Sequence, residues 1–85
     1  MTYVVEFKKS ARKEINKLPP ETAKRILKAI YKLAVNPRQQ KATKMTGVSA
    51  YKHRVGNYRV IYDIQDQKLI ILIVKVGHRK DVYNR

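Results

Sequence analysis

Gly56 and Asn57 separate two runs of β-branched and aromatic residues, 50–55 and 58–64. A two-residue connection between such runs predicts an antiparallel hairpin, and glycine at its first position favours a type II′ turn. So short a turn fixes the register, because it leaves the two strands one way to pair. That register places Val55 opposite Tyr58, Arg54 opposite Arg59, His53 opposite Val60 and Lys52 opposite Ile61.

The run LIILIVKV, residues 69–76, follows the hairpin after a short polar break, QDQ. Its residues are apolar at both alternating positions, as in a strand whose two faces are both buried. We therefore expect a central strand, covered by helices on one face and by a smaller element on the other.

The amino-terminal half begins with a short β-rich run, residues 2–7, and continues with helical periodicity. Apolar residues recur at helical spacing over 10–18, and the LPP that follows predicts the end of that helix. A second helix is expected from Pro20 to the NPR at 36–38, with Glu21 near its positive end. The two helices should form an antiparallel helical hairpin.

These elements together predict an α+β fold: a strand, a helical hairpin, an antiparallel sheet meander and a short carboxyl-terminal tail. Residues 38–46 read as a polar basic connector, and Gly47 as a turn. A chain of 85 residues is the size of one domain, so we expect a single domain over residues 1–85.

The charge balance is strongly positive. Lysine and arginine number 20 against 6 aspartate and glutamate, a formal net charge of +14, and no carboxylate occurs between Thr22 and Tyr62. A hydrophobic content of 44% argues for a folded protein and not a basic disordered tail. Because such an imbalance costs stability through self-repulsion, the expected partner is a polyanion, either nucleic acid or an acidic protein.

The chain contains no cysteine, which excludes disulfides, a thiolate nucleophile and a cysteine-type zinc site. Its amino terminus lacks the apolar run of a signal peptide, and no apolar stretch is long enough to cross a bilayer. We expect a soluble cytoplasmic protein without membrane contact.

Alternation along the predicted hairpin places Lys52, Arg54 and Arg59 on one face and His53 on the other. Like charges directly opposite each other destabilise a sheet unless an anion lies between them. The pattern therefore indicates an anion site. The alternative is that these long side chains extend into water at the end of the hairpin.

Arg79 and Tyr83 follow the third strand in VGHRKDVY and, in a meander, would lie near the same end of the sheet. Taken singly, Arg79 fits a solvated turn and Tyr83 a ring at the rim of the core. Together with the hairpin cations they suggest positive charges for a phosphate and an aromatic face on which a base can stack.

The segments YKHRVGNYRVIY and VGHRKDVY, preceded by FKKSARKEINKL and NPR, resemble in order and spacing a RelE-type toxin of the RelE/ParE superfamily. This resemblance covers nearly the whole chain. It implies a small α+β toxin of a type II toxin–antitoxin system that cuts messenger RNA on the ribosome, in the A-site codon, and inhibits translation. It also implies a cognate antitoxin as partner, with promoter DNA bound only indirectly through the antitoxin. The two histidines have no nearby cluster of metal ligands and the aspartates lack metal spacing, so we expect no metal or organic cofactor.

By position, the resemblance assigns the catalytic set to Lys52, Arg54, Arg59, Arg79 and Tyr83. Well-known members carry a second lysine where this chain has Arg54, and arginine is a poor base, so Lys52 alone could supply a neutral amine. The implied reaction is attack of the ribose 2′-oxygen on the adjacent phosphorus. We further expect substrate contacts from His78, Lys44 and Lys80.

Two other functions remain open at this point. ParE-type relatives share the fold and inhibit DNA gyrase without the ribonuclease residues, so the fold alone does not decide between them. A nucleic-acid-binding module without catalysis would show salt-dependent binding and no product.

Overall fold

The computed structural model describes residues 2–38, 42–45 and 50–78. Two helices and five strands occur in this part of the chain. None of its helices is long and apolar enough to cross a membrane. The elements, in chain order, are β1 Val4–Phe7, α1 Lys9–Asn16, α2 Pro20–Val35, β2 Ala42–Lys44, β3 Ala50–Val55, β4 Tyr58–Gln65 and β5 Ile70–His78.

The five strands form one mixed sheet in the order β1-β5-β4-β3-β2. β1 pairs with β5 in parallel, and every other pairing is antiparallel. The predicted meander and α+β class are confirmed. The sequence prediction missed β2, a three-residue edge strand inside the supposed connector, because ATK is too short and too polar to show a strand period.

The predicted hairpin register is confirmed at each of its four pairs. Gly56 has a φ of 58°, which the first central position of a type II′ turn requires and which glycine adopts without strain. The turn chemistry alone was sufficient here, since a two-residue loop leaves no slack for another register.

Both helices pack against the same face of the sheet. α1 lies over β5, and α2 lies across β1, β3 and β5. Pro20 and Glu21 occupy the first turn of α2, as the sequence predicted. The core is built from apolar residues of both helices and of the two strands β4 and β5: Ala11, Ile15, Ile26, Ile30, Leu33, Val60, Tyr62, Ile71, Ile73 and Val76.

β5 lies inside the sheet, between β1 and β4, as predicted. We call the side of the sheet opposite the helices the open face. Within the described ranges no helix or strand covers the open face, so the expected second cover is not found there. Ile70 and Leu72 are only half-buried on it, and Val4 is 60% exposed.

A β-bulge changes the alternation of β5. Ile61 pairs with Lys75 and the next residue, Tyr62, pairs with Ile73, so Val74 is an extra residue in β5. Strict alternation from Ile73 would direct Lys75 into the core. The bulge instead places Lys75 on the open face and buries Val76 under the helices.

Beyond the end of β1, a side chain takes the place of a strand as hydrogen-bond partner of the β5 backbone. β1 pairs with β5 only as far as Phe7 and Ile73, and the Lys8 N–H then donates to the Ile73 carbonyl at 2.9 Å. Further along β5, the backbone N–H of Val76 donates to Oε1 of Glu14 at 3.3 Å. Glu14 thus links α1 to the bulged half of β5, where a strand partner has ended.

An ion pair fixes the end of the sheet away from the hairpin. Arg38 donates from Nη2 to Oδ2 of Asp66 at 2.8 Å, and the Tyr3 hydroxyl donates to Oδ1 at 2.6 Å. The hydrogen bond from Arg38 and that from Tyr3 lower the pKa of Asp66 below its ordinary value. The segment that follows α2 is thereby tied to the β4–β5 turn and to the start of β1.

The buried Tyr62 predicts a loss of stability at high pH. Its hydroxyl donates to the Pro37 carbonyl at 2.6 Å, and burial raises its pKa from 10.0 to about 12. Between these values the unfolded chain binds fewer protons than the folded one, so the free energy of unfolding falls as pH rises. The shift of about two pH units sets an upper limit of about 3 kcal/mol on this loss of stability, which screening by solvent reduces.

Denaturant unfolding at a series of pH values from 9 to 12 would measure this loss. Tyr62→Phe should unfold more easily at neutral pH but show a flatter decline, because the titrating group is gone. Tyr31→Phe, which alters a ring that is 55% exposed, is the matched control and should decline as the wild type does. Equal slopes for all three proteins would contradict the prediction.

Candidate functional site on the open face

The hairpin of β3 and β4 brings Lys52, Arg54 and Arg59 together on the open face; we call these three residues the hairpin cluster. Arg54 lies directly opposite Arg59, and Lys52 opposite Ile61. Cβ atoms of directly opposed residues are about 4.5–5.5 Å apart, so the two arginine side chains leave the sheet from adjacent points. The predicted shared face is therefore confirmed by the register.

Arg59 occupies the centre of a row that crosses three strands. Its cross-strand neighbours are Arg54 on β3 and Gly77 on β5. Gly77 has no side chain, so on the β5 side of Arg59 the surface of the sheet is formed by backbone alone. Arg59 is 9% exposed, whereas Arg54 is exposed. The two arginines thus differ in freedom: Arg59 is held within the sheet surface, while Arg54 extends into solvent from its rim.

The adjacent row contains a cation that the sequence prediction did not assign to the site. Lys52, Ile61 and Lys75 lie side by side on β3, β4 and β5. Ile61, between the two lysines, is only 8% exposed although it lies on the face without a helix. In the sequence, Lys75 stands out as the one lysine in an otherwise apolar run. The face of the sheet on which it lies, however, depends on the bulge.

The Arg54 side chain also contacts the turn. Its Nε donates to the Gly56 carbonyl at 3.4 Å, a long hydrogen bond. The planar guanidinium group of Arg54 therefore lies beside the turn, where its other N–H donors extend the same plane. Arg54 is therefore oriented along the end of the hairpin.

Other residues singled out from the sequence lie elsewhere. His53 is 5% exposed on the helical face, as predicted. The ring of His78 lies edge-on to that of Tyr58 at 5.6 Å, and the register pairs them on the helical side of the strand ends. Lys44 pairs with Tyr51 and so is also on the helical side, at the sheet edge. His78 and Lys44 are therefore not on the face of the hairpin cluster.

Three further predicted residues, Arg79, Lys80 and Tyr83, lie outside the described residues, and their assignment stays a prediction. β5 ends beside the hairpin, where His78 pairs with Tyr58.

The chemistry of the hairpin cluster suits a phosphodiester. Guanidinium groups present planar donors that match phosphate oxygens, and ammonium groups add mobile point charges. On a chain with a net charge of +14, the field around this face attracts polyanions. Over residues 2–38, 42–45 and 50–78, no group of three or more His, Cys, Asp or Glu side chains is placed to hold a metal ion.

Comparison with known proteins gives a consistent family. Residues 5–83 match the family model described as the ParE toxin of the type II toxin–antitoxin system parDE. Toxin RelG of Mycobacterium tuberculosis is 34% identical, with all of both chains covered. The mRNA interferase toxin RelE of Escherichia coli K12 is 29% identical over 99% of this chain and 93% of its own.

The fold matches a solved toxin–antitoxin complex. The RelBE2 complex of Mycobacterium tuberculosis contains a chain that superposes with a TM-score of 0.84 at 28% identity, covering 93% of this chain and 100% of that one. The resemblance seen in the sequence is thereby confirmed. This chain belongs to the RelE/ParE superfamily and is the toxin component of a type II toxin–antitoxin system.

Proposed function

We propose that this toxin is an endoribonuclease that cuts messenger RNA in the A-site codon of the translating ribosome without a metal ion. The observation that carries the proposal is the opposed pair Arg54 and Arg59 beside Lys52 on one face of the sheet. Its relative in Escherichia coli is named an mRNA interferase, which supports the same reaction class here. Such a reaction belongs in the cytoplasm, where ribosomes and messenger RNA are.

In the proposed reaction the ribose 2′-oxygen attacks the adjacent phosphorus, and the bond to the 5′-oxygen breaks. The products are a 2′,3′-cyclic phosphate and a 5′-hydroxyl. Lys52 accepts the proton of the 2′-hydroxyl, and a proton must reach the departing 5′-oxygen. Arg59 and Arg54 stabilise the negative charge that grows on the phosphoryl oxygens. By resemblance, Arg79 is placed near the leaving oxygen and Tyr83 against a base.

The cognate antitoxin is the second partner. In the RelBE2 structure the related toxin is in complex with its antitoxin. We propose that an acidic amphipathic segment of the antitoxin lies over the open face, because that face combines the hairpin cluster with exposed apolar residues such as Val4. Binding there would neutralise part of the excess charge and block RNA.

Inhibition of DNA gyrase is the second candidate function, because the family model that matches residues 5–83 describes a ParE toxin. The hairpin cluster favours RNA cleavage, since gyrase inhibition does not require an arginine pair that can hold a phosphodiester. A gyrase supercoiling assay separates the two.

Primer extension on messenger RNA tests the proposal. The purified toxin is incubated with messenger RNA alone and on programmed ribosomes, and new 5′ ends are mapped. We expect cuts within the A-site codon only when ribosomes are present. An absence of cuts in both conditions, together with a loss of gyrase supercoiling, would replace the proposal by the second candidate.

A further inference from the structure

An arginine of α2 that is outside the hairpin cluster lies beside the hairpin turn. A Cβ on Gly56 would lie 3.6 Å from Cζ, Nη1 and Nη2 of Arg25 alike. Equal distances to three atoms of one plane mean that the guanidinium group lies flat on the turn. Because its N–H donors lie in that plane, they point sideways and not into the glycine.

The same turn therefore has two guanidinium groups beside it. Arg54 reaches it from β3, with Nε donating to the Gly56 carbonyl at 3.4 Å. Arg25 reaches it from α2. Both side chains are exposed, and like charges gathered on one turn repel each other unless an anion binds.

A local carboxylate does not explain this arrangement. Glu21 is one turn before Arg25 on α2, at the spacing that suits a helical ion pair. Within the described residues, however, Glu21 and Arg25 form no such ion pair; Arg38 and Asp66, at the other end of the sheet, do form one.

We propose that Arg25 and Arg54 form a second phosphate site at the hairpin turn, which binds the RNA backbone one nucleotide away from the phosphate held by Arg54 and Arg59. The site rests on the proposed function, and it identifies Arg25 as a substrate-binding residue. Arg54 stands between the two phosphates, so the RNA strand passes from the open face around the end of the hairpin toward α2.

The test measures binding separately from cleavage. A fluorescent oligoribonucleotide with a 2′-deoxy nucleotide at the cleavage position is titrated with toxin at several salt concentrations. Arg25→Ala should bind about three- to fivefold more weakly at low salt. The slope of log affinity against log salt should fall by about 0.7, as for the loss of one phosphate contact on a single strand.

Lys32→Ala is the matched control. Lys32 is also exposed on α2, seven residues further on, which is the same side of the helix and about 10 Å from Arg25. It should keep the wild-type slope. Arg25→Lys should retain the salt slope, because it keeps the charge. It should bind RNA somewhat more weakly, because lysine lacks the planar guanidinium group.

A purely structural role for Arg25 would lower the melting temperature of Arg25→Ala and leave the RNA slope unchanged, and that result would overturn the proposal. If Arg25→Ala instead releases the antitoxin faster and binds RNA as the wild type does, the proposal is also overturned. The arginines at the turn would then bind a carboxylate of the antitoxin and not an RNA phosphate. If the wild type binds RNA with the expected slopes but never cuts on ribosomes, the phosphate site stands and the proposed reaction fails.

Discussion

Arg59→Ala is expected to reduce the single-turnover rate of messenger RNA cleavage on programmed ribosomes by about 10²- to 10³-fold. Arg59 is only 9% exposed, and its neighbours on the adjacent strands are Arg54 and Gly77, so its side chain needs little reorganisation to meet the charge on a phosphoryl oxygen. Loss of one such preorganised donor has about this effect in other enzymes.

The reduction should appear at saturating toxin, since the lost interaction is made in the transition state. Arg59→Lys should recover only part of the rate, because a lysine lacks the planar fork. Lys68→Ala, an exposed cation at the other end of the sheet, is the control and should cut normally. Because Arg59 is buried, each variant is also checked for cooperative unfolding. A folded Arg59→Ala protein that cuts at the wild-type rate would exclude Arg59 from the reaction.

Lys52→Ala is expected to slow the same single-turnover reaction by about 10²-fold or more, the usual contribution of a positioned general base. Lys52 lies opposite Ile61 and beside Thr43, with its side chain on the open face next to the row of Arg54 and Arg59. It is the one residue of the hairpin cluster that can lose its proton, since arginine stays charged in proteins.

Lys52→Arg distinguishes proton transfer from charge. A base role predicts that Lys52→Arg is nearly as slow as Lys52→Ala, because the arginine keeps the charge but does not accept the proton. A purely electrostatic role predicts that Lys52→Arg is close to the wild type. Lys68→Ala again controls for the loss of one positive charge. An unchanged rate in Lys52→Ala would remove Lys52 from the mechanism.

Much of the site was determined by local chemistry. The two-residue turn with Gly56 allows one register, and that register alone sets Arg54 against Arg59 and separates His53 from Lys52. The α+β class and the two helices likewise follow from apolar spacing and from the prolines that separate them.

Other features depended on contacts between distant segments. The edge strand β2 exists because β3 offers it hydrogen bonds, not because ATK favours a strand. Pairing of β1 with β5 joins residues more than sixty positions apart, and no local pattern specifies that neighbour.

The sequence by itself determined the charge, the helices, the hairpin register and the face of Lys52, Arg54 and Arg59, because each depends on residues only a few positions apart. Only the tertiary structure decided that a bulge at Val74 turns Lys75 outward and that α2 brings the Arg25 guanidinium group beside Gly56. The physical reason is that strand pairing and helix packing are set by the burial of the whole core, and a single residue shift or a helix crossing changes which side chains meet.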